Sequence, residues 1–380
     1  MAGIYIHIPF CKQACHYCDF HFSTSIKKKE ELLSALKTEL VLRKHELHDQ
    51  TVETIYFGGG TPSLLSIDEL HKLIDFIFKN YEVSKNPEIT LEANPDDLVS
   101  VQAQSKTIFE KYLDIGINRL SIGIQSFFED DLKSMNRAHS ANEAKECLEN
   151  ATKYFDNITI DLIYGIPNMS LEKWNDNLRS TFNFGINHIS AYALTVEPKT
   201  ALDIFIKKGT YPSLNDDLAL KHFNLLVSET EKKGFVQYEV SNFGKPGYFS
   251  KHNTSYWQGK PYLGIGPSAH SFNGKRRSWN VSNNTKYIQS ISQHELPSEM
   301  EDLSGKEMFN EYVMTGLRTI WGISLDKIKI EFGSEYIESL EISAEKYIKD
   351  GLLFKENQIL KTTNKGKFLA DGIASDLFLI

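Results

Sequence analysis

The chain has 380 residues and 41% of them are hydrophobic, so we expect one large domain with a substantial core and a smaller second domain. The formal net charge of −8 argues against a broad nucleic-acid-binding surface, which needs an excess of basic residues. No apolar run is long enough to span a bilayer, and the first residues resemble a strand rather than a signal peptide. We therefore predict a cytoplasmic protein with reduced thiols, and peripheral attachment to a membrane stays open.

Short β-rich runs alternate with amphipathic segments through the first half of the chain. Strands are predicted at residues 4–9, 54–57, 88–92, 119–124, 158–164 and 188–194. Helices are predicted at residues 27–47, 66–79, 110–115, 141–155 and 171–184. Ser66 and Glu69 form a capping-box pattern at the start of the second helix. This alternation predicts an α/β fold with a parallel sheet and right-handed crossovers.

The second half of the sequence is less regular. Residues 216–233 are expected to form a helix and residues 236–243 a strand, whereas the composition of residues 244–285 predicts mainly loops. Beyond these, helices are predicted at residues 306–319, 325–332, 336–350 and 366–379, with a hairpin at residues 352–354 and 358–360. This order resembles a winged-helix-like domain. Because this region is not notably basic, we predict no nucleic-acid partner.

Three cysteines, Cys11, Cys15 and Cys18, follow the first predicted strand with the spacing CxxxCxxC. Three thiolates can hold three irons of a four-iron, four-sulfur cluster, which leaves the fourth iron open for another ligand. A zinc site is the alternative, with a fourth ligand from one of three nearby histidines: His7, His16 or His21. The remaining cysteine, Cys147, lies in a predicted helix and is interpreted as a small buried hydrophobic residue.

The cysteine motif resembles that of the radical S-adenosylmethionine (SAM) superfamily. The stretch Tyr-Ile-His-Ile-Pro-Phe before it and Asp19-Phe20 after it narrow the resemblance to the oxygen-independent coproporphyrinogen III oxidase-like group. The oxidases of that group carry a further cysteine two residues after the third. This chain has Phe20 at that position, which favours the haem-chaperone branch, HemW.

The resemblance implies a fold and a division of the chain. The fold is a partial (β/α)6 barrel with a smaller, mostly helical, winged-helix-like C-terminal domain. We expect the radical SAM core at residues 1–240, a loop-rich extension at residues 241–300 and the C-terminal domain at residues 301–380. The open iron of the cluster would then be chelated by the amino and carboxylate groups of SAM.

A glycine loop and several strand-end polar residues are the candidate SAM ligands. Glycines let a backbone approach a ligand closely, carboxylates suit the ammonium and ribose diol of SAM, and arginine suits its carboxylate. The resemblance implies that SAM is bound by the following residues: Tyr5, Tyr17, Gly59, Gly60, Thr61, Glu92, Gln125, Arg137 and Asp161.

The motif HNxxYW, residues 252–257, is the candidate haem site. A histidine beside aromatic residues is more often a buried hydrogen-bonding residue, but histidine also ligates haem iron and aromatic rings suit a flat macrocycle. The resemblance implies haem binding by His252, Tyr256 and Trp257, and His270, after a glycine loop, is a second ligand candidate.

Together these features predict a haem chaperone that binds a cluster, SAM and haem and delivers haem to acceptor proteins, with membrane-associated respiratory proteins as one class of acceptor. The alternative is an oxygen-independent coproporphyrinogen III dehydrogenase that decarboxylates two propionates. A zinc-bound scaffold protein is the third hypothesis. Whether SAM is cleaved in the working cycle stays open.

Overall fold

The computed structural model describes residues 2–47, 50–99 and 106–379. Its main sheet has a centre of parallel strands that follow one another in chain order. These strands are β1 (Ala2–Ile8), β2 (Val52–Gly59), β3 (Val83–Ala93), β4 (Arg119–Gln125), β5 (Ile158–Tyr164) and β6 (His188–Ala193). The predicted α/β fold with a parallel sheet is confirmed.

The two faces of these strands differ because successive side chains point to opposite sides of a sheet. One face is apolar: Ile4 and Ile6 of β1 are fully buried in the main hydrophobic core. The opposite face carries buried polar side chains, among them Thr54, Glu88, Arg119, Thr159 and His188. Buried polar groups are costly unless they bind one another or a ligand. The polar face is therefore where a functional site is expected.

Helices connect the parallel strands, and most begin where a hydroxyl side chain accepts the N–H of the third helical residue. Ser66, Thr107 and Ser140 each form a complete capping box, as the sequence predicts for Ser66. The first helix ends at Leu42, earlier than predicted. The helices of this half are α1 (Lys29–Leu42), α2 (Ile67–Asn80), α3 (Pro95–Val99), α4 (Ile108–Asp114), α5 (Glu129–Ser134), α6 (Ala141–Ala151) and α7 (Leu171–Asn183).

Further strands extend the parallel centre on both sides into a 12-stranded sheet. On one side β8 pairs antiparallel with β6; on the other β9 pairs parallel with β1 and leads to an antiparallel meander. The elements are α8 (Ala201–Lys207), α9 (Asp216–Lys232), β7 (Val236–Glu239), β8 (Asn242–Gly244), α10 (Lys251–Trp257), β9 (Tyr262–Ile265), β10 (His270–Phe272), β11 (Arg276–Asn280), α11 (Asn284–Ser292) and β12 (Ser298–Asp302).

Two predictions for this region are wrong. Residues 244–285 are not mainly loops, because they contain α10 and three strands. These strands are only three to five residues long, and they are ordered by pairing with β1 and with each other rather than by their own pattern. The single strand predicted at 236–243 is instead two strands, β7 and β8, which pair antiparallel after a turn.

The C-terminal region has its own hydrophobic core, which includes Phe309, Val313 and Leu340, and a three-stranded sheet. The predicted final helix is broken into two short helices. The elements are α12 (Gly305–Leu317), β13 (Ile323–Ser324), α13 (Leu325–Glu331), α14 (Ser334–Lys349), β14 (Leu353–Glu356), β15 (Ile359–Thr362), α15 (Asn364–Lys367) and α16 (Ala370–Asp376). Across the described ranges, none of the helices combines the length and apolar character needed to cross a bilayer.

Candidate functional site

The three cysteines lie in a loop that leaves the carboxyl end of β1. The Cys11 N–H donates to the Ser23 carbonyl at 3.1 Å, and the Ser23 N–H donates to the Pro9 carbonyl at 2.7 Å, so the loop closes beside its own start. Its middle is held from outside, since the His16 N–H donates to the Met135 carbonyl at 3.1 Å. The positions of the sulfurs therefore depend on segments distant in the sequence.

The thiols of Cys11, Cys15 and Cys18 are partly exposed and free of disulfides. Burial, with the other two thiols nearby, raises the pKa of the Cys18 thiol to about 11. Burial also raises the pKa of Cys11, with Cys15 adding to the effect. A thiolate in such surroundings is favoured only when a cation replaces its proton, as a metal ligand requires.

The positions of the three candidate histidines bear on whether the cysteines hold zinc instead of a cluster. A structural zinc ion needs four ligands that converge on one point, and within the described ranges no three His, Cys, Asp or Glu side chains do so. The candidate histidines have other partners: His7 Nε2 lies 2.9 Å from the His21 carbonyl, His16 Nδ1 lies 3.1 Å from the Ser134 carbonyl and His21 Nε2 lies 2.7 Å from Asn284 Oδ1. A zinc site that used one of these histidines would have to break its hydrogen bond, which counts against the zinc alternative.

Glu92 lies at the carboxyl end of β3, beside the glycine loop that ends β2. Its carboxylate accepts from the Tyr56 hydroxyl at 2.8 Å and from the Gly59 N–H at 3.2 Å. Burial raises the pKa of Glu92, although both hydrogen bonds act in the opposite direction. The carboxylate is thus held in a fixed orientation at a half-buried position.

The glycine loop packs closely against the start of the cysteine loop. Gly59 has a φ of 108°, and a Cβ there would lie 2.5 Å from His7 Nδ1. A Cβ at Gly60 would lie 2.6 Å from the Phe10 carbonyl oxygen. Glycine is required at both positions so that the two loops can lie side by side.

Arg137 links the cysteine loop to β3 and β4. Its guanidinium donates to Cys15 Sγ at 3.3 Å, to the Tyr17 hydroxyl at 3.4 Å and to Asn94 Oδ1 at 2.6 Å. The Asn94 amide in turn donates to Thr61 Oγ1 at 3.2 Å. Sequence reasoning missed Asn94, although a polar residue directly after a strand, two positions beyond Glu92, was a usable signal.

Gln125 and Asp161 complete the polar set at this end of the sheet. Gln125, the last residue of β4, is buried with a φ of 63°, a strained conformation for a residue other than glycine. Asp161 lies in the middle of β5 rather than near its end. Burial and the nearby Glu92 raise the pKa of Asp161 to about 7. Tyr5 lies on β1 and stacks on Tyr56 of the neighbouring strand β2, with ring centroids 6.0 Å apart.

Helix α10, which carries the HNxxYW motif, lies at the amino ends of the strands, opposite the cysteines. His252 is 1% exposed, and both ring nitrogens have partners at 2.7 Å: Nδ1 with Thr54 Oγ1 and Nε2 with the Tyr256 hydroxyl. Its backbone N–H donates to Glu88 Oε1 at 3.0 Å. Burial, with a contribution from Arg119, lowers the pKa of His252 to about 3.

The other candidate haem residues lie nearer the surface. Tyr256 and Trp257 are half-buried at the end of α10, and the Arg318 guanidinium lies 5.2 Å from the Trp257 ring centroid. His270 is exposed on β10, where its ring stacks on Trp279 at 6.1 Å. The structure thus brings the cysteines and most candidate SAM residues together at the carboxyl ends of the strands and leaves His252, Tyr256 and Trp257 near the amino ends. His270 joins neither group, because it lies beside Gly264 of β9.

Comparison with known proteins places this arrangement in a family. Residues 5–180 match the family model of the radical SAM superfamily, and residues 303–369 match that of the HemN C-terminal domain. The "Heme chaperone HemW" of Bacillus subtilis (strain 168) is 33% identical over 98% of this chain and 98% of its own length. This chain belongs to the HemW family. The HemW of Mycobacterium tuberculosis (strain CDC 1551 / Oshkosh) is also 33% identical, over 99% of this chain and 94% of its own.

The HemW fold has a solved counterpart. Coproporphyrinogen III oxidase (HemN) from Escherichia coli superimposes with a TM-score of 0.84 at 22% identity, over 99% of this chain and 90% of the solved chain. The likeness shows that the partial barrel and the helical C-terminal region occur together in both proteins. Membership of the radical SAM superfamily implies a four-iron, four-sulfur cluster and SAM as cofactors.

The residues around the cysteine loop fit these two cofactors. Arg137 Nε is buried and has no hydrogen-bond partner among the described residues, so one donor of the guanidinium is available to an anionic group such as a carboxylate. The thiols of Cys11, Cys15 and Cys18 are soft ligands that suit iron, and the Glu92 carboxylate suits an ammonium group at the same end of the strands. The donor set therefore matches a metal cluster and a zwitterionic ligand side by side.

Proposed function

We propose that this chain is a haem chaperone that binds a four-iron, four-sulfur cluster through Cys11, Cys15 and Cys18, binds SAM beside it, and carries haem to acceptor proteins. The observation that carries the proposal is the full-length similarity to HemW proteins, combined with three cysteines that lie beside a set of polar side chains that includes Arg137 and Glu92. Membrane-associated respiratory proteins are the class of acceptor we propose to test first.

The polar residues beside the cysteines, here called the polar shell, would each bind a different group of SAM. Glu92 and the backbone of Gly59 and Gly60 suit the ammonium group, and Arg137 suits the carboxylate through its free Nε–H. The remaining members of the proposed set surround the ribose and adenine: Tyr5, Tyr17, Thr61, Gln125 and Asp161. A reduced cluster, when bound, supplies one electron to the sulfonium of SAM.

Asp161 has a specific part in this scheme. With its pKa raised to about 7 by burial and by Glu92, it holds a proton in a large fraction of molecules at neutral pH. A protonated carboxyl group can donate to one ribose hydroxyl and accept from the other. We expect SAM binding to depend on pH near neutrality for this reason.

The chain divides into three functional parts under this proposal. Residues 1–240 hold the cluster and SAM, residues 241–300 present Tyr256 and Trp257 to haem with His252 buried behind them, and residues 301–380 pack beside these two aromatic residues. The proximity of the first and third parts is supported by the Arg318 guanidinium, which donates to Glu239 Oε1 at 2.8 Å.

Anaerobic reconstitution followed by electron paramagnetic resonance tests the cofactor part. The reduced protein should give a four-iron signal whose g-values change when SAM is added, because SAM would occupy the open iron. An unchanged signal at saturating SAM would contradict the proposal. Binding of haem by the same preparation, followed by its transfer to an apo-haemoprotein, tests the chaperone part.

The coproporphyrinogen III dehydrogenase activity is the less favoured alternative. Phe20, which stands where the oxidases of the group have a further cysteine, is 70% exposed beside the cysteine loop. An anaerobic assay with SAM and coproporphyrinogen III decides the matter. Formation of protoporphyrinogen IX would replace the chaperone proposal with the enzymatic one.

A further inference from the structure

A cavity of about 600 Å³ lies between the outer end of α10, the meander β9–β11 and the C-terminal helices α12 and α13. Its volume is within the range of small-molecule sites, roughly 300–1,000 Å³. We call it the aromatic cleft, because aromatic rings line it from every side. These are the rings of Tyr256, Trp257, Tyr262, Phe272, Tyr312, Trp321 and Phe332.

Two basic side chains, Arg277 and Lys327, also line the aromatic cleft. Arg277 pairs with Glu311 at 2.6 Å, and Lys327 lies 3.9 Å from Glu331 and 4.4 Å from the Tyr312 ring centroid. All four charged side chains of these pairs are between 28% and 49% exposed. Such exposed pairs are weak, so both cations can exchange their partners for the carboxylates of a ligand.

The HNxxYW motif reaches the aromatic cleft only through its last residues. Tyr256 and Trp257 line it, whereas His252 does not. His252 is 1% exposed and its two ring nitrogens already bond Thr54 and Tyr256. An iron ligand must offer a free nitrogen lone pair, so His252 in this position cannot reach a metal in the cleft. It can fix the Tyr256 ring, which packs edge-on against Tyr262 at 4.4 Å.

We infer that haem binds in the aromatic cleft, with its ring stacked between the aromatic walls and its two propionates paired with Arg277 and Lys327. His252 is then a residue that positions Tyr256, and it is not the iron ligand. This inference rests on the proposed haem cargo. Haem is a flat, apolar macrocycle with two carboxylates on one side. The cleft offers aromatic walls for the macrocycle and two cations, Arg277 and Lys327, that can exchange their present partners for its carboxylates.

The first test fills the aromatic cleft. Thr315, a half-buried cleft residue of α12, donates its hydroxyl to the carbonyl four residues earlier, and Thr315→Trp places an indole in the cavity. We expect haem affinity to fall at least tenfold, as measured by absorbance titration of the reconstituted protein. The matched control is Thr152→Trp, which changes an exposed threonine that directly follows α6 and makes the same type of hydrogen bond; this variant should bind haem like the wild type.

A second variant covers the case in which Thr315→Trp fails to fold. Trp321→Ala removes one aromatic wall and should weaken haem binding about three- to tenfold, the scale of a lost aromatic contact. The SAM-dependent cluster signal, which arises at the opposite edge of the sheet, reports folding in every variant. If the wild type binds haem and both cleft variants bind it equally well, the inference is overturned while the chaperone proposal stands. If the wild type binds no haem, the chaperone proposal itself fails.

The propionate contacts are tested with haem and its dimethyl ester, which lacks the two carboxylate charges. The wild type should prefer haem by about tenfold, the scale expected of charge-assisted pairing at a half-exposed site. The double variant Arg277→Gln/Lys327→Gln should lose that preference. Equal discrimination by the wild type and the double variant would contradict the pairing.

The role of His252 is tested by spectroscopy. His252→Gln should lower haem affinity about threefold through the displaced Tyr256, on the scale of one lost hydrogen bond, and the absorption and resonance Raman bands that report the axial ligand should keep their positions. A change in those bands to a weaker-field or ligand-free haem would identify His252 as the iron ligand and overturn this assignment.

Discussion

The central strands carry polar residues both at their carboxyl ends, here called the carboxyl edge, and at their amino ends, the amino edge. The two sets differ in exposure and in whether their polar atoms have hydrogen-bond partners. At the carboxyl edge, the thiols are partly exposed and Arg137 keeps an unpartnered Nε–H. At the amino edge, His252 is fully enclosed, with every polar ring atom bonded, and Glu88 accepts two backbone N–H groups of α10. The difference teaches that polar residues at the first edge are arranged to receive a ligand, whereas those at the second hold a helix in place.

Arg119 is an exception among the amino-edge residues, because some of its polar atoms lack partners. Arg119, at the amino edge, donates to Thr159 but has no hydrogen-bond partner for Nε or Nη1 among the described residues. Its nearest carboxylate, Glu88, lies 4.0 Å away. The positive charge of Arg119 contributes to the lowered pKa of His252, so this arginine supports the neutral form of the imidazole.

The largest expected effect is at the carboxyl edge. Alanine at Cys11, Cys15 or Cys18 should abolish the cluster, because the loop supplies three cysteine ligands and the cluster needs all three. Iron and sulfide analysis and the absorbance of anaerobically reconstituted protein measure the loss. Cys147→Ala is the control, since Cys147 is buried in α6 away from the loop, and it should keep the full load. A full load in the three loop variants would remove the basis of the proposed function.

The next largest effect is expected at Glu92, where a substitution should change SAM affinity but not cluster content. Glu92→Gln should weaken SAM binding roughly tenfold to a hundredfold, the scale of about 1.5–3 kcal/mol for a hydrogen bond to a charged group. Isothermal titration of SAM into the reconstituted protein measures it, and cluster content should stay unchanged. Wild-type affinity for SAM in this variant would exclude Glu92 from the SAM shell.

The matched change at the amino edge should behave in the opposite way. Glu88→Gln weakens the two hydrogen bonds from the N–H groups of Lys251 and His252, so α10 becomes less firmly held. We expect the free energy of unfolding to fall by about 1–2 kcal/mol in urea denaturation, with SAM affinity unchanged. An equal loss of SAM affinity in the Glu88 and Glu92 variants would show that the two edges are not distinct.

The smallest effect is a pH dependence of stability. Burial and Arg119 hold the pKa of His252 at about 3, below the unfolded value of 6.5, so the unfolded chain binds a proton that the folded chain does not. The stabilisation is present above pH 6.5 and is lost as the pH falls towards 3. Between pH 7 and 5.5 His252 should cost about 1 kcal/mol of stability.

The measurement for this last prediction is the urea midpoint at both pH values in the wild type and in His252→Gln. The variant should lose less stability on acidification, because its amide does not titrate. The buried His7 and His139, whose pKa values burial lowers to about 4, remain in both proteins and contribute equally to both curves. An identical pH dependence in the two proteins would show that His252 is not held neutral by burial.

The sequence by itself determined the cysteine motif, the alternation of strands and helices, and the helix start at Ser66. These features are local: ligand spacing, hydrophobic periodicity and capping depend on neighbouring residues, so they can be recognised without the fold. The family resemblance followed from the same local stretches.

Only the tertiary structure decided the setting of the HNxxYW motif. The sequence predicts loops around it, yet α10 forms because its N–H groups meet Glu88 and its histidine meets Thr54, residues of strands that lie far earlier in the chain. The aromatic cleft arises in the same way, from side chains of α10, the meander and the C-terminal helices. Contacts between such distant segments have no signature in local composition, because they depend on how the packed elements meet.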